Sequence, residues 1–276
     1  MSLRFIHTGS VLRHQSSVTA ACWASASLPS AAASSLSTTA ARALLTASDD
    51  GDVGVWNGDG EWQGVLFSTR GEYGIIDLAV SPVAPELVAA ACSDGALRLF
   101  SAAGGREEKR VAASAAGAAI ISVRWSPDGS ALVTGGEDGC VKVWSRAGAL
   151  RTTLATCAGP VYAVRWGSDA NTILWASGRD LLVASLTADA GGTGRTGKGG
   201  AAATATSGPA GAISWKAHDG VVLAADWCPT TGRIVSGGED GRYKVWDSLG
   251  RLCVQSCDGR TNTPPEPIFA TTAGLF

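Results

Sequence analysis

Short runs of alternating apolar and polar positions recur along the chain. They read VTAACW (18–23), IIDLAV (75–80), IISVRW (120–125), VYAVRW (161–166) and VLAADW (222–227). Each is rich in β-branched or aromatic residues with period two, so each predicts a strand. Turn signals follow several of them, such as SPDG (126–129) and CPTTG (228–232). A second strand, such as ALVTGG, then runs into a tight turn, and a third, such as CVKVWS, leaves it. A fourth is expected beyond it, as in RLCVQS (251–256). No long segment carries a helical period.

The tight turn gives the register. Asp50-Gly51, Asp94-Gly95, Asp138-Gly139 and Asp240-Gly241 each precede an aromatic by six positions: Trp56, Phe100, Trp144 and Trp246. The first two spacings are equal, 94 − 50 = 44 and 138 − 94 = 44. The last, 240 − 138 = 102, leaves room for one more unit and an insertion. That unit is VYAVRWGSDANTILWASGRDLLVAS (161–185), which keeps the plan but lacks the Asp-Gly turn and the closing Trp. Four antiparallel strands per unit of about 44 residues is the period of a propeller blade.

The expectation is an all-β propeller of five recognisable four-stranded blades over residues 1–257. The blades run roughly 11–67, 72–111, 116–154, 158–217 and 218–257, with an irregular tail at 258–276. Two segments rich in Ala, Gly, Ser and Thr, at 24–40 and 188–211, cannot bury a core and read as loop insertions. The first joins the first two strands of its blade, and the second joins the last two strands of another. In an antiparallel blade these connections share one face, so both insertions project from the same side. The other face keeps short loops.

Composition narrows the function classes. The chain of 276 residues is 45% hydrophobic and 17% charged, with net charge −2, which gives no electrostatic case for nucleic acid or an anionic membrane. No apolar run reaches the roughly 20 residues of a membrane helix. MSLRFIHTGS does not read as a secretory signal. Seven cysteines without paired spacing read as reduced thiols in a cytosolic protein, with no metal site. GGTGRTGKGG (191–200) resembles a phosphate loop from Gly192 to Lys198. Gly199 stands where the metal-binding Ser or Thr is needed, and no helix is expected next, so it reads as a low-complexity loop.

One constellation occurs twice. His218 lies nine residues before Trp227, Ser236 lies four before Asp240, and Trp246 closes the unit. His14, Thr46, Asp50 and Trp56 repeat these offsets in the first unit, and Thr134, Asp138 and Trp144 form a partial copy in the third. The groups form a chain of donors and acceptors: indole to hydroxyl, hydroxyl to imidazole, imidazole to carboxylate. Ser, His and Asp also suggest a hydrolase triad. Recurrence of the set, once with Thr, its Trp, and the lack of a G-x-S-x-G elbow favour a structural polar network. Arg124, Arg165 and Asp226 occupy one equivalent position, before the strand-ending Trp. They read either as contacts to a partner at the channel or its rim, or as ion pairs between blades.

The His, the S/T-x-x-x-Asp turn and the VWD ending (245–247) resemble the WD40 repeat family and its hydrogen-bonded tetrad. GEDGCVKVWSRAGALRTTLATCAGPVYAVRWG (136–167) and SWKAHDGVVLAADW (214–227) further resemble the N-terminal propeller of a WD-repeat subunit of intraflagellar transport complex B. Departures from the tetrad are Gly71, Ala90 and Phe100 in the second unit, Ala116 in the third and Cys157 in the fourth. The resemblance implies a seven-bladed ring, of which five units are recognised here. The three prolines of RTNTPPEPIFATTAGLF argue against a further central strand, so a truncated family member is expected. It also implies a non-catalytic adaptor without cofactor or small-molecule substrate. Its partners would be other complex B subunits, in the cytoplasm, at the basal body and in the cilium or flagellum. Other readings are a general WD40 scaffold, as in vesicle coats or ubiquitin ligase adaptors, a non-functional truncated product, and an enzyme using Ser236, His218 and Asp240.

Overall fold

The structure, a computed structural model, describes residues 13–24, 43–102, 104–114, 117–186, 209, 211–247 and 252–259. Residues 25–42, 187–208 and 260–276, which hold nearly all of both expected insertions and the tail, lie outside the described residues, as does Ala116.

Among the described residues, twenty strands form five four-stranded antiparallel sheets, and no α-helix occurs. The first blade holds β1 (Val18–Ala24), β2 (Ala43–Ser48), β3 (Asp52–Trp56) and β4 (Trp62–Ser68). The second holds β5 (Ile75–Val80), β6 (Leu87–Cys92), β7 (Ala96–Ser101) and β8 (Arg106–Ala112). The third holds β9 (Ile120–Trp125), β10 (Ala131–Gly136), β11 (Cys140–Ser145) and β12 (Leu150–Thr156). The fourth holds β13 (Val161–Trp166), β14 (Thr172–Ser177), β15 (Asp180–Ser185) and β16 (Ile213–Lys216). The fifth holds β17 (Val222–Trp227), β18 (Ile234–Gly238), β19 (Arg242–Trp246) and β20 (Cys253–Asp258). Strands pair in chain order within every blade, and β1, β5, β9, β13 and β17 pack side by side as the inner wall of a β-propeller.

The core is a series of seams between blades rather than one central mass. Leu45 and Val53 of the first blade meet Ile75 and Val88 of the second. Ala89 and Leu97 then meet Val123 and Trp125, Val133 and Val141 meet Val164 and Trp166, and Leu174 and Leu181 meet Val222 and Ile234. Period-two alternation supplies both sides of each seam: one strand face packs on the preceding blade, the other on the following one. That is why the middle strands read as nearly continuous apolar runs. Among the described residues, no comparable cluster joins the fifth blade to the first.

The Asp-Gly turns hold the second and third strands of four blades. Gly51, Gly95, Gly139 and Gly241 all have positive φ, between 73° and 86°. The preceding Asp accepts a hydrogen bond from the amide two residues on, at 2.9–3.1 Å in all four turns. Asp offers this local acceptor and Gly tolerates the left-handed backbone, so the dipeptide is a turn signal with a mechanism. The fourth blade closes the same connection with Gly178-Arg179, without the Asp.

Candidate functional site

In the fifth blade, β18 and β19 pair so that Ser236 and Trp246 point to the same side, and the chain before β17 brings His218 over them. Trp246 Nε1 donates to Ser236 Oγ at 2.9 Å, and His218 Nε2 lies 2.8 Å from the same oxygen. His218 Nδ1 faces both oxygens of Asp240 at 3.0 and 3.1 Å. The network assigns the tautomer: Nδ1–H donates to the carboxylate, and Nε2 accepts from the serine hydroxyl. His218 and Ser236 are buried. Burial raises the Asp240 pKa, but the amides of Asp219 and Arg242 and the His218 ring outweigh it and hold it below its ordinary value. Ser236 Oγ lies beneath an indole and an imidazole, so it is not presented to a substrate.

The first blade carries a looser copy. Trp56 Nε1 donates to Thr46 Oγ1 at 2.9 Å, and His14 Nε2 is 2.9 Å from that oxygen. His14 Nδ1 stands 3.5 Å from Asp50 Oδ2, which instead accepts the Gln15 amide at 2.7 Å. Trp62 packs edge-on against both His14 and Trp56, at centroid distances of 6.1 and 5.0 Å.

The third and second blades hold their turn aspartates with cations. In the third, Trp144 Nε1 donates to Thr134 Oγ1 at 2.9 Å. Lys142 Nζ reaches Asp138 at 3.3 Å and the Ala113 carbonyl at 2.6 Å. In the second, Arg98 forms a bidentate pair with Asp94 at 2.8 and 2.6 Å, with its guanidinium 3.7 Å from the Tyr73 ring centre and its Nε 3.4 Å from Glu107. Arg98 is buried. Its hydrogen bonds are the largest cause holding Asp94 below the usual carboxylate range. Ala90 and Phe100 fill the Ser/Thr and Trp positions with apolar bulk, and Phe100 stacks on Phe67 of the first blade. Sequence reasoning passed over Arg98 and Lys142. The available signal was a cation four residues after the turn Asp: Arg98, Lys142 and Lys244 share that place.

In the fourth blade Trp175 and Cys157 occupy the Ser/Thr and His positions, both buried. Burial pushes the Cys157 thiol above its ordinary pKa. All seven cysteines are free thiols. No group of three or more His, Cys, Asp or Glu placed to hold a metal occurs among the described residues.

On the inner wall, Arg124, Arg165 and Asp226 engage neighbouring blades. Arg124 pairs with Asp77, which also accepts from Ser122 Oγ at 3.2 Å and the Val123 amide at 3.0 Å. Arg165 Nε donates to Asp226 at 3.0 Å. Burial and the neighbouring Arg124 charge lower the Arg165 pKa, against the pull of Asp226 and Asp77. Asp77 sits two residues before the equivalent strand position and was missed in the sequence.

The family described as "WD domain, G-beta repeat" matches residues 110–145 and 212–247, which include the third and fifth blades' turn Asp and closing Trp. The chain carries WD40 repeats on a β-propeller fold. It is similar to the intraflagellar transport protein 80 homologs of mouse and rat, at 36% identity over 222 residues in both cases. The match covers 78% of this chain and spans 26% of those relatives' length. A shorter likeness, 38% over 55 residues, links it to the mouse F-box-like/WD repeat-containing protein TBL1X. It covers 20% of this chain and 10% of that protein.

Proposed function

We propose that this chain is a non-catalytic adaptor acting within intraflagellar transport complex B, in support of cilium assembly and ciliary cargo transport. The observation that carries this reading is the 36% identity over 78% of the chain with intraflagellar transport protein 80 homologs. A likeness of that length spans several blades, unlike the 55 residues shared with TBL1X, which amount to little more than one repeat. A general scaffold in another pathway is therefore the weaker reading. The chain works in the cytoplasm, at the basal body and in the cilium, with other complex B subunits as partners.

The polar networks supply the mechanism. They tie the loops before β1 and β17 to the Asp turns, so the face bearing His14 and His218 is a set of short, rigid loops. A rigid rim loses little entropy on docking a protein partner. The β1–β2 and β15–β16 connections, where the insertions are expected, leave from the opposite ends of the strands, which favours this face for docking. Ser236, buried and shared between Trp246 and His218, supports a structural rather than catalytic role.

Purification of the tagged chain from ciliated cells is expected to recover complex B subunits. A folded chain that recovers none would overturn the proposal. Asp219→Lys, in the loop that carries His218, and Arg242→Glu, at the start of β19 beside the Asp240 turn, change exposed residues and are expected to weaken recovery without lowering the melting temperature. Undiminished recovery would remove this face from the proposal while leaving the adaptor reading in place.

A further inference from the structure

Positions that line the internal seams are open at the two ends of the blade array. Val18 starts β1 and is 56% exposed, while its equivalents Ile75, Ile120, Val161 and Val222 are buried. Trp23 is 59% exposed, while Trp125 and Trp166 are buried and Val80 and Trp227 are half-buried. At the other end, Val235 is 41% exposed although Leu45, Ala89, Val133 and Leu174, in the same register opposite the inner strand, are buried. Tyr243 is 45% exposed, and its counterparts Val53, Leu97, Val141 and Leu181 are buried. The first blade thus shows an uncovered backward face, and the fifth an uncovered forward face. Together they are the two halves of an interface that the chain already makes four times.

We propose that these end faces bind one another, head to tail, between copies of this chain. Two of the internal seams show how Trp23 would seat. Trp125 Nε1 donates to the Ala79 carbonyl, and Trp166 Nε1 to the Arg124 carbonyl, both at 3.1 Å. Each acceptor is the residue before the end of the preceding blade's inner strand. In the fifth blade that residue is Asp226. It lines a surface pocket of about 350 Å³ with Trp227, Arg233, Val235 and Val245. Trp23 of a second copy enters this pocket, and its indole N–H meets the Asp226 carbonyl. Val18 covers the apolar surface left by Val235 and Tyr243.

The contact is heterologous, so it repeats. Two five-bladed arrays exceed the roughly four to eight blades of a closed propeller. The copies therefore do not share one flat ring, and the assembly grows as an open chain.

Analytical ultracentrifugation tests this. The wild-type weight-average mass is expected to rise steadily with concentration. Trp23→Glu blocks one end and Val235→Glu the other, so each variant alone is expected to stay monomeric. An equimolar mixture of the two is expected to form a dimer and stop there, since one good face of each kind remains. Val18→Glu and Tyr243→Glu repeat the experiment at different positions, and circular dichroism checks that all four variants fold. A wild-type chain monomeric throughout, a single variant that still self-associates, or a mixture that stays monomeric would each overturn the proposal. The first outcome would point to blades of a longer polypeptide as the natural cover.

Discussion

His218 is held at both ring nitrogens, whereas His14 is held firmly at only one, with its Nδ1 3.5 Å from Asp50. The two polar networks therefore differ in strength. Asp240→Ala leaves a buried imidazole without its acceptor and is expected to destabilise by about 1–3 kcal/mol. Asp50→Ala is expected to cost less, because Asp50 holds the Gln15 and Asp52 amides but not the His14 ring at hydrogen-bond distance. Trp246→Ala adds a cavity to a lost hydrogen bond, and about 3–5 kcal/mol is expected. Urea unfolding of the three variants checks the order, and equal midpoints for Asp50→Ala and Asp240→Ala would contradict it. The aspartates also set the acid limb of stability. Asp50, Asp94, Asp138 and Asp240 all lie below the ordinary carboxylate value in the folded chain. In the window between folded and unfolded values the unfolded state binds more protons, so stability rises with pH there. The contribution is present above the ordinary Asp value of about 3.9 and is lost as pH falls below it. Asp94→Asn is expected to flatten the acid limb, read as unfolding midpoints at neutral pH and near pH 3.

The blade is the scale at which the sequence was most readable, and the reason lies in turn chemistry. A tight turn with positive φ leaves few residue choices, so Asp-Gly repeats wherever the turn repeats, and the five inner strands alternate visibly beside it. The second blade shows the limit. Its missing tetrad was legible as Gly71, Ala90 and Phe100, but its replacement was not. Arg98 reads as an ordinary polar position on an alternating strand, and only packing shows it buried between Asp94, Tyr73 and Glu107. The inner-wall charges were equally half-legible: the sequence shows Arg124 and Arg165 at one position, but not that Asp77 comes from another blade to meet one of them. Two substitutions test these elements. Arg98→Lys keeps the charge but loses the bidentate fork and the stacking on Tyr73, so the melting temperature is expected to fall. Gly139→Ala is expected to destabilise as well, since its Cβ would lie 2.3 Å from the Cys157 carbonyl at φ +73°. A melting temperature unchanged in either variant would refute the account of that blade.

Stability in the whole molecule follows the seams. Each blade contributes sheet hydrogen bonds of its own, but most of its apolar surface is buried only by its neighbours. Such an array behaves as a row of units coupled to nearest neighbours, and a unit sealed on both sides opens less readily than one sealed on a single side. The third blade is sealed on both sides: Val123, Trp125 and Trp144 pack toward the second, and Val133, Val141 and Val143 toward the fourth. The fifth blade is sealed on one, with Val235 and Tyr243 open on the other. Native-state hydrogen exchange is therefore expected to be slowest in β9–β11 and distinctly faster in β17–β19, although these strands share the same hydrogen-bonding pattern. The tighter polar network of the fifth blade opposes that trend locally, so the Ser236 and Trp246 amides should exchange more slowly than those of Val235 and Tyr243. Uniform protection across all five blades would mean that the array opens as one cooperative body, with the end faces covered in solution. Raising the protein concentration separates the sources of that cover: protection of β17–β19 that grows with concentration comes from a second copy, and protection that does not grow comes from within the chain.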